Sequence, residues 1–565
     1  MVFNVRNIVI VEAISTGYNF VEDAVRRGYN PIVLEFETEG SDDYDSVRKE
    51  SHKNYYRQPT IIKINGDYDR TLKIVRELDP VLVVAGSELG VNTAVHLADD
   101  LGLPGNSYAD IKAMTLKDHM HEALKKAGIR YIKGQVVSTV EQAVAFCKEN
   151  GLEQAVVKPL ESAGSMGMYL CDNIDDVKNA VSSLLKSKSM YGFDIDAALV
   201  QERIIGEEYI VNTVSCNGVH KLNSILRYNK IKTEEGGYIY DYIETLSRLE
   251  SEHTAMVEYA YKVADAIGVR YGMIHGEYMI DKNGPVLIEV NCRPMGCTMT
   301  DEYLDLIYGQ HESDTTIDAY LDPEGFTASL NKPYKPLRKG VLKLIMVPKD
   351  MEAEDHPILE VAKHLRSTYR ISSSLSDDPV RYIKTRDLES AGGIVYLVHD
   401  DENVVKSDLE LLRKIEKKYF SFLLSEGMSR RWFTEAAVGS PDVGKIRREC
   451  GCYGAVLYAG DKPQEIQGIQ CVCPETLSDA HKGFDNVIIG YQESLVKLNE
   501  TKCLRLIFET IDKVKPGGRV IIPSSTYEYL SYKREGAELL LEVKGLSIEP
   551  PVQGINDYVI GLKER

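Results

Sequence analysis

The sequence between residues 271 and 296 constrains the fold more than any other part of the chain. It reads YGMIHGEYMIDKNGPVLIEVNCRPMG, in which two apolar stretches flank the tetrapeptide DKNG at 281–284. Asp, Asn and Gly are residues that tight turns favour. A three-residue loop ending at Gly284 would place Glu277 opposite Glu289 on neighbouring antiparallel strands. The segment therefore predicts a hairpin with paired carboxylates.

Further polar side chains are expected on the same side of this hairpin. Asn291 lies two residues beyond Glu289, and Arg293 extends the row before Pro294; side chains two apart on a strand share a face. Facing carboxylates destabilise a sheet unless they are neutralised, and polar groups in an apolar strand need partners. Magnesium suits this oxygen-rich set. We therefore expect Glu277, Glu289 and Asn291 to be metal ligands, and the alternative is a solvated acidic face.

The first 112 residues predict a parallel α/β domain. NIVIVEA at 7–13 and PIVLEF at 31–36 are strand-like, with the helix pattern FVEDAVRRG between them, and VLVVAG at 81–86 adds another strand. A β-α-β opening implies a parallel sheet covered by helices. Because 565 residues are too many for one core, further domains are expected.

The pattern changes after this domain. Residues 113–200 combine the amphipathic helix MTLKDHMHEALKKAG with the strand QAVVKPL, which predicts a helix and strand subdomain. Residues 201–435 are richer in strands, which indicates an antiparallel-sheet subdomain with an α/β extension at 340–430. We therefore expect a multidomain protein of mixed α/β and α+β class.

Residues 436–565 predict a Rossmann-like α/β domain. FDNVIIG and VKPGGRVIIPSS resemble the later half of a class I methyltransferase fold. The glycine-rich nucleotide-binding start of that family is missing, since AVLYAGDKP at 455–463 has too few glycines. We expect a degenerate domain used for packing, dimerisation or partner docking, and an active methyltransferase is the alternative.

Composition excludes several classes of protein. The net charge of -19 argues against nucleic-acid and anionic-membrane partners. No apolar run approaches the roughly 20 residues that span a bilayer, and no signal-peptide cleavage site is evident. The ten scattered cysteines do not form a disulfide framework, so we expect a cytoplasmic protein. The pairs at 450/452 and 471/473, with His481, leave a zinc site as the alternative to buried strand cysteines.

A candidate phosphate site follows the strand AVVKP. Its Lys158 would supply a point charge, and the segment ESAGSMG at 161–167 would bring the backbone of Gly164, Ser165, Met166 and Gly167 close to an anion. The lysine precedes the glycines, so this is not a Walker loop. Lys117, in an amphipathic helix, is a second candidate cation, for which a solvated lysine is the alternative.

The segment QERIIGEE at 201–208 predicts a strand edge that could bind a nucleoside. Backbone groups there could hydrogen-bond a base, and an acid could accept from ribose hydroxyls. Gln201, Glu202 and Glu208 are the candidate contacts, and an exposed acidic edge is the alternative.

In this order, the elements resemble the ATP-grasp superfamily of carboxylate–amine ligases. The matching elements are ELGV…LADDLGLPG, Lys117, VVKPLESAGSMG, QERIIGEEY and HGEYMIDKNGPVLIEVNCRPMG, over roughly residues 1–400. LRYNK at 226–230 and the triplet at 275–277 resemble the branch of L-amino-acid ligases that make dipeptides. The resemblance implies an ATP-grasp fold and ATP with Mg²⁺ as cofactors.

The resemblance also implies roles for the site residues. Lys117 and Lys158 would bind ATP phosphates under the loop at 164–167, with Glu202 at the adenine hinge and Glu208 at the ribose. Glu277, Glu289 and Asn291 would hold two Mg²⁺ ions, for which Mn²⁺ is a candidate substitute, and Arg293 would steady the acyl phosphate. His275 is a candidate for the amine pocket or for proton removal, and a structural histidine is the alternative.

The implied reaction has two steps. A substrate carboxylate attacks the γ-phosphoryl group of ATP, which gives ADP and an acyl phosphate, and an amine then displaces phosphate. We expect two amino acids as the small-molecule acid and amine, and a homodimer as the default assembly. The alternatives are a non-amino-acid acceptor, such as bicarbonate or a purine intermediate, and a non-catalytic ATP-binding scaffold.

Overall fold

The computed structural model describes most of the chain, in two compact units, 1–339 and 340–565. The described residues are all those outside 1–4, 38–47, 50, 54–57, 161–166, 188–194, 233–237, 354, 374, 376–379, 389, 427–442, 451, 453, 462–465, 492–499, 524–532, 551–557 and 565. The boundaries expected at 112, 200 and 435 remain predictions.

The first unit begins with a parallel sheet, as the β-α-β pattern predicts. Its strands lie in the order Thr60–Ile64, Asn30–Phe36, Asn7–Val11 and Pro80–Ala85. The chain adds two strands on one side of Asn7–Val11 and then adds Pro80–Ala85 on its other side. The direction in which strands are added therefore reverses at Asn7–Val11. Ligands of open parallel sheets bind at the carboxyl end of such a reversal.

A second, antiparallel sheet occupies the middle of this unit. Its strands lie in the order Gly134–Val137, Ala198–Glu202, Ala155–Pro159 and Tyr169–Cys171. The apolar face packs on two helices, Val140–Glu149 and Ile174–Leu184, around Val157, Val181 and Val200. This sheet holds Lys158 and Gln201.

The third sheet of the unit, the central sheet, carries the predicted hairpin. Five described strands of the unit lie in the order Gly284–Asn291, Gly272–Asp281, Glu207–Cys216, Val219–Lys232 and Tyr238–Thr245. One face packs on the helix Ser251–Ala266, where Tyr278 and Leu287 join Met256 and Val263 in a core cluster. The other face holds the polar residues.

The hairpin has the expected carboxylate pair, but its loop is shorter than predicted. Asp281 pairs with Gly284, so two residues form the loop instead of three. A register shift between Glu277 and Tyr278 then leaves Ile288 unpaired and brings Glu289 opposite Glu277. This β-bulge turns Glu289 away from the core face that Leu287 occupies.

Helices cover these sheets in the first unit. The described helices are Asn19–Arg26, Tyr68–Glu77, Val91–Asp100, Ile111–Thr115, Lys117–Lys126, Val140–Glu149, Ile174–Leu184, Ser251–Ala266, Asp301–Tyr308, Glu312–Leu321 and Pro323–Ser329. The single helix expected over MTLKDHMHEALKKAG is wrong, because Leu116 is extended and separates two helices. Lys117 is therefore the first residue of a helix.

The second unit begins with two small groups of strands. Lys339–Leu344, Ile394–His399 and Thr368–Ser372 are neighbours in that order, and Met351–Ala353 pairs with Val380–Tyr382. Its described helices are Pro357–Lys363, Glu402–Glu426, Val443–Glu449, Glu500–Ile511 and Lys533–Val543.

The C-terminal sheet belongs to this second unit. Its strands lie in the order Gln470–Val472, Val456–Gly460, Phe484–Gly490, Val514–Pro523, Tyr558–Lys563 and Leu546–Ile548. The first four strands are parallel to one another. Tyr558–Lys563 is antiparallel to both of its neighbours, Val514–Pro523 and Leu546–Ile548. The residues KPGG at 515–518 lie inside the strand Val514–Pro523, at a register shift against Phe484–Gly490. The α/β domain is present, and its methyltransferase likeness stays a prediction.

The cysteine pairs of this unit do not assemble as a metal site among the described residues. The one described group with metal-ligand spacing is Asp305, His311 and Asp314. Cys450 and Cys452 follow a helix instead of lying on a strand, and both are buried in an apolar cluster beside Cys471. Burial raises the pKa of Cys450 to about 12, which disfavours the thiolate.

In the described part of the chain, no helix is both long enough and apolar enough to cross a membrane.

Candidate active site

The candidate site lies on the polar face of the central sheet. Neighbouring strands place Ser224, Asn212, His275 and Asn291 in one cross-strand row. Two residues further along, Glu277 and Glu289 lie side by side on the same face. The sheet therefore brings together the hairpin residues that the sequence singled out.

The two hairpin carboxylates have different partners. Glu289 Oε2 lies 3.0 Å from Lys117 Nζ, and the charge of Glu289 keeps the pKa of Lys117 above its usual value although burial opposes this. Glu277 Oε1 accepts a hydrogen bond from Tyr228 Oη at 3.0 Å. Burial alone would raise the pKa of Glu277, but His275, Lys230 and Tyr228 outweigh burial and lower it to about 2. Glu277 is therefore ionised at neutral pH.

Lys158 is the most deeply buried cation of the site. Its residue is 7% exposed, and burial lowers its pKa to about 8, although Glu289 and Glu277 oppose this. Within the described residues its Nζ has no recorded hydrogen bond. A buried ammonium group without a close counter-ion is costly, so this lysine is suited to an anionic ligand.

Glu208 forms an ion pair at the edge of the site. Its Oε2 lies 2.6 Å from Lys230 Nζ, which also lies 4.6 Å from the ring centre of Tyr240. Burial raises the pKa of Glu208 in spite of this contact. The carboxylate expected at a ribose is thus already paired with a lysine.

Glu88 is a site residue that the sequence analysis did not single out. It begins the short 3-10 turn after the strand Pro80–Ala85, and its Oε2 lies 3.3 Å from Arg293 Nε. Burial raises its pKa, while Arg293 opposes this and Glu289 adds to it. Its position in the fold could have identified Glu88. It follows the strand Pro80–Ala85, which lies next to Asn7–Val11, where the strand order reverses and ligands of such sheets bind.

His275 lies in a buried hydrogen-bond network. Its Nδ1 is 2.9 Å from Asn212 Oδ1, and its Nε2 is 3.6 Å from Glu277 Oε1. The residue is 4% exposed. His275 is therefore adjacent to a candidate metal ligand, and its solvent access is small.

The remaining candidates lie on the second sheet and its loop. Glu202 Oε1 accepts from Lys133 N at 3.0 Å, which ties two strands together. Gln201 is buried, and its Nε2 has no hydrogen-bond partner among the described atoms. Gly167 has φ +71, a conformation that favours glycine, and packs on Pro159. Gly164, Ser165 and Met166 lie outside the described residues.

Comparison with known proteins gives a direct match to this region. Residues 153–302, which contain Lys158, Glu208 and the whole hairpin, match the family described as ATP-grasp domain. The chain contains an ATP-grasp domain. The fold and the order of motifs expected from the sequence agree with this match.

The individual proteins that this chain resembles are distant in sequence. The chain is 22% identical to dapdiamide A synthase of Enterobacter agglomerans over 360 residues, which are 63% of this chain and 84% of the relative. An L-amino acid ligase from Bacillus licheniformis superposes with a TM-score of 0.54 at 16% identity, covering 72% of this chain and 97% of that one. A carboxyaminoimidazole ribonucleotide synthase from Aspergillus clavatus, solved with ATP, gives 0.52 at 15% identity, covering 74% and 99%.

These similarities confirm the ATP-grasp fold and support the expected ATP-dependent carboxylate–amine ligase. All three are ligases or synthases by name, and one of them is an L-amino acid ligase. The substrates of the relatives differ, so the fold alone does not select an acceptor.

Proposed function

We propose that this protein couples two amino acids into a dipeptide or related amide, with ATP converted to ADP and phosphate. The carboxyl group of one amino acid is activated as an acyl phosphate, and the amino group of the second displaces phosphate. The observation that carries the proposal is the pairing of Glu277 with Glu289 on the hairpin, with Lys117 from a helix and Lys158 from the second sheet close to them.

The donor set fits magnesium. Glu277, Glu289 and Asn291 offer carboxylate and amide oxygens on one face of the hairpin, and Mg²⁺ takes such ligands together with phosphate oxygens and water. Held by these residues, Mg²⁺ would offset the charge that develops on the transferring phosphoryl group. Asn291 has no recorded hydrogen bond among the described residues, so its amide oxygen is available.

The charges of the site favour two ions. Four acidic and four basic side chains surround the hairpin: Glu88, Glu208, Glu277 and Glu289 with Lys117, Lys158, Lys230 and Arg293. The site is thus close to neutral by itself. ATP brings about four negative charges, and two Mg²⁺ ions neutralise them, whereas one ion leaves an excess of negative charge. Mn²⁺ is the proposed substitute.

The chain's own residues supply the binding and orientation. Lys158 is buried and has no ion pair among the described residues, and it binds phosphate oxygens of the nucleotide. Lys117, which contacts Glu289, adds a second positive charge beside the phosphates. Arg293 reaches toward the carboxyl end of the first sheet, where it contacts Glu88. It is therefore placed to hold the acyl phosphate as the amine attacks. Adenine lies along the edge at Gln201 and Glu202, and the ribose lies near Glu208.

A second candidate is an ATP-grasp enzyme with a different acceptor, such as a purine intermediate. It is favoured by the similar fold agreement with a carboxyaminoimidazole ribonucleotide synthase. The match to dapdiamide A synthase over most of that relative's length favours the peptide-like acceptor. The proposal also includes a homodimer, small molecules as the substrates and a cytoplasmic location. These three parts rest on the sequence.

The test is a screen of the purified chain with ATP, Mg²⁺ and all pairwise amino-acid mixtures. Phosphate release is measured, and products are identified by mass spectrometry. We expect release that needs two amino acids and a product mass equal to their sum less one water. Release with a purine intermediate and none with any amino-acid pair would overturn the assignment of the acceptor.

A further inference from the structure

A buried polar network connects the candidate metal carboxylate to a residue outside the hairpin. Ser224, Asn212 and His275 belong to three adjacent strands, and Glu312 is the first residue of the helix Glu312–Leu321. Ser224 and Asn212 are each 1% exposed, and His275 and Glu312 are each 4% exposed. We call these four residues the buried polar row.

The contacts fix the orientation of the Asn212 amide. Glu312 Oε1 lies 3.1 Å from Asn212 Nδ2 and 2.9 Å from Ser224 Oγ, and Asn212 Nδ2 also lies 2.8 Å from Ser224 Oγ. An ionised carboxylate only accepts hydrogen bonds, so the amide must turn its NH₂ group toward Glu312. Its oxygen therefore faces His275.

The orientation of Asn212 in turn fixes His275. Asn212 Oδ1 is an acceptor 2.9 Å from His275 Nδ1, so this nitrogen carries a proton. The ring then presents Nε2 toward Glu277 Oε1, at 3.6 Å. Turning the ring over would break the contact to Asn212 and leave the buried amide oxygen without this donor.

The row also selects which oxygen of Glu277 is held. Tyr228 Oη and His275 Nε2 both approach Oε1, and no contact to Oε2 is recorded among the described residues. Oε2 is therefore the oxygen of Glu277 that is left for a metal ion. Groups that orient a metal-binding side chain in other proteins change metal affinity about 10- to 100-fold when they are replaced.

We infer that Glu312, acting through Asn212, is a positioning residue that fixes the orientation of His275 beside Glu277 and thereby sets the surroundings of this carboxylate for metal binding. The inference rests on the proposed function, which makes Glu277 a metal ligand.

The test swaps the amide of Asn212 and the carboxylate of Glu312. In Asn212→Asp, a carboxylate faces Glu312, so two acceptors oppose each other and the hold on His275 is lost. In the double variant Asn212→Asp/Glu312→Gln, the new amide donates to the new carboxylate, and the original pattern is restored with the same net charge. Ser313→Ala is the matched control, since this buried hydroxyl on the same helix start binds Asp23 instead of the row.

The readout is the dissociation constant for Mn²⁺ with ADP present, measured from free Mn²⁺ by electron paramagnetic resonance. We expect Asn212→Asp to weaken Mn²⁺ binding about tenfold or more. We expect the double variant and Ser313→Ala to stay within about threefold of wild type. If Asn212→Asp does not fold, Asn212→Ser, which cannot bridge Glu312 and His275, is measured in its place with the same expectation.

Two results separate the inference from the proposed function. Unchanged Mn²⁺ affinity in Glu277→Gln would remove the metal assignment itself. If Glu277→Gln weakens binding while Asn212→Asp does not, or while the double variant fails to recover, the positioning role of Glu312 is wrong. An equal loss in Ser313→Ala would also overturn it, because a general disturbance of the helix would then explain the effect.

Discussion

Burial determines the properties of Lys158 more than any neighbouring charge does. The desolvated ammonium group titrates at about 8 in the folded protein, so the folded state binds fewer protons than the unfolded chain between about pH 8 and the ordinary pKa of 10.5. Stability therefore rises with pH across that window. Below it, the charge is held at a cost that an anionic ligand would offset.

Replacing Lys158 by Met should stabilise the nucleotide-free protein and abolish ATP binding. The shift in pKa corresponds to on the order of 3 kcal/mol at neutral pH, and the apolar stem is kept. Denaturant unfolding and nucleotide titration measure the two effects. The control is Lys126→Met, because Lys126 is 74% exposed and should change neither quantity. A destabilised Lys158→Met protein that still binds ATP would contradict the assignment.

At this scale the sequence predicts some residues and misses others, for physical reasons. Glu277, Glu289 and Asn291 are predictable because local alternation and a turn place them together. Glu88 and Asn212 are not, since their partners lie far along the chain: Arg293 for Glu88 and Glu312 for Asn212. Glu208 is expected at a ribose, and its ion pair with Lys230 on the next strand is not predictable for the same reason.

Among the elements, the start of the helix Glu312–Leu321 joins two parts of the first unit. His311, just before the helix, is held between Asp23 at 2.9 Å and Asp305 at 2.7 Å, with Asp314 at 3.7 Å. Arg26 and Arg27 also lie near Asp23. Burial opposes the charged imidazole, but the carboxylates outweigh it and raise the pKa of His311 well above its ordinary value.

The charge of His311 should make stability depend on pH. A raised folded pKa contributes stability that is fully present below the unfolded pKa of about 6.5 and is lost as pH rises through the folded value. The stability difference between wild type and His311→Gln should therefore be largest near pH 6 and shrink as the solution becomes alkaline. Chemical unfolding at a series of pH values measures it.

The control for this pH series is His119→Gln, because His119 is an exposed histidine on a helix surface. Its difference from wild type should show no such decline. A difference for His311→Gln that grows with pH would show that the carboxylates do not hold a charged imidazole.

Helix and strand types follow from sequence periodicity better than their exact pairing does. The sequence alternation predicts the strands of the hairpin, but the shorter loop and the compensating bulge at Ile288 depend on which face meets the helix Ser251–Ala266. The break between two helices at Leu116 is not visible in the sequence either, because the amphipathic pattern continues across it and no glycine or proline marks it.

For the whole molecule, the cysteines distinguish a reduced protein from a disulfide-linked or zinc-bound one. None of the ten forms a disulfide, and seven of them are buried: Cys147, Cys171, Cys216, Cys450, Cys452, Cys473 and Cys503. Buried thiols react slowly because the thiolate is disfavoured and reagents cannot reach it. The fold of both units thus depends on packing and hydrogen bonds, without cross-links.

Thiol titration with a chromogenic disulfide tests this picture. We expect ten reactive thiols per chain in denaturant without reductant, and at most about three reacting promptly in the native protein. Zinc content should be negligible by elemental analysis. Fewer than ten thiols in denaturant, or stoichiometric zinc released with them, would contradict the interpretation of Cys450, Cys452, Cys471 and Cys473 as packing residues.

The central claim is that the hairpin carboxylates drive an ATP-dependent ligation, and ADP formation by Glu289→Gln tests it most directly. ADP release is measured with ATP, Mg²⁺ and the amino-acid pair that wild type accepts, beside Glu324→Gln as an exposed-carboxylate control. We predict that Glu289→Gln loses at least about 100-fold in rate with an unchanged unfolding transition, while Glu324→Gln keeps wild-type activity. ADP release by Glu289→Gln at the wild-type rate would contradict the account.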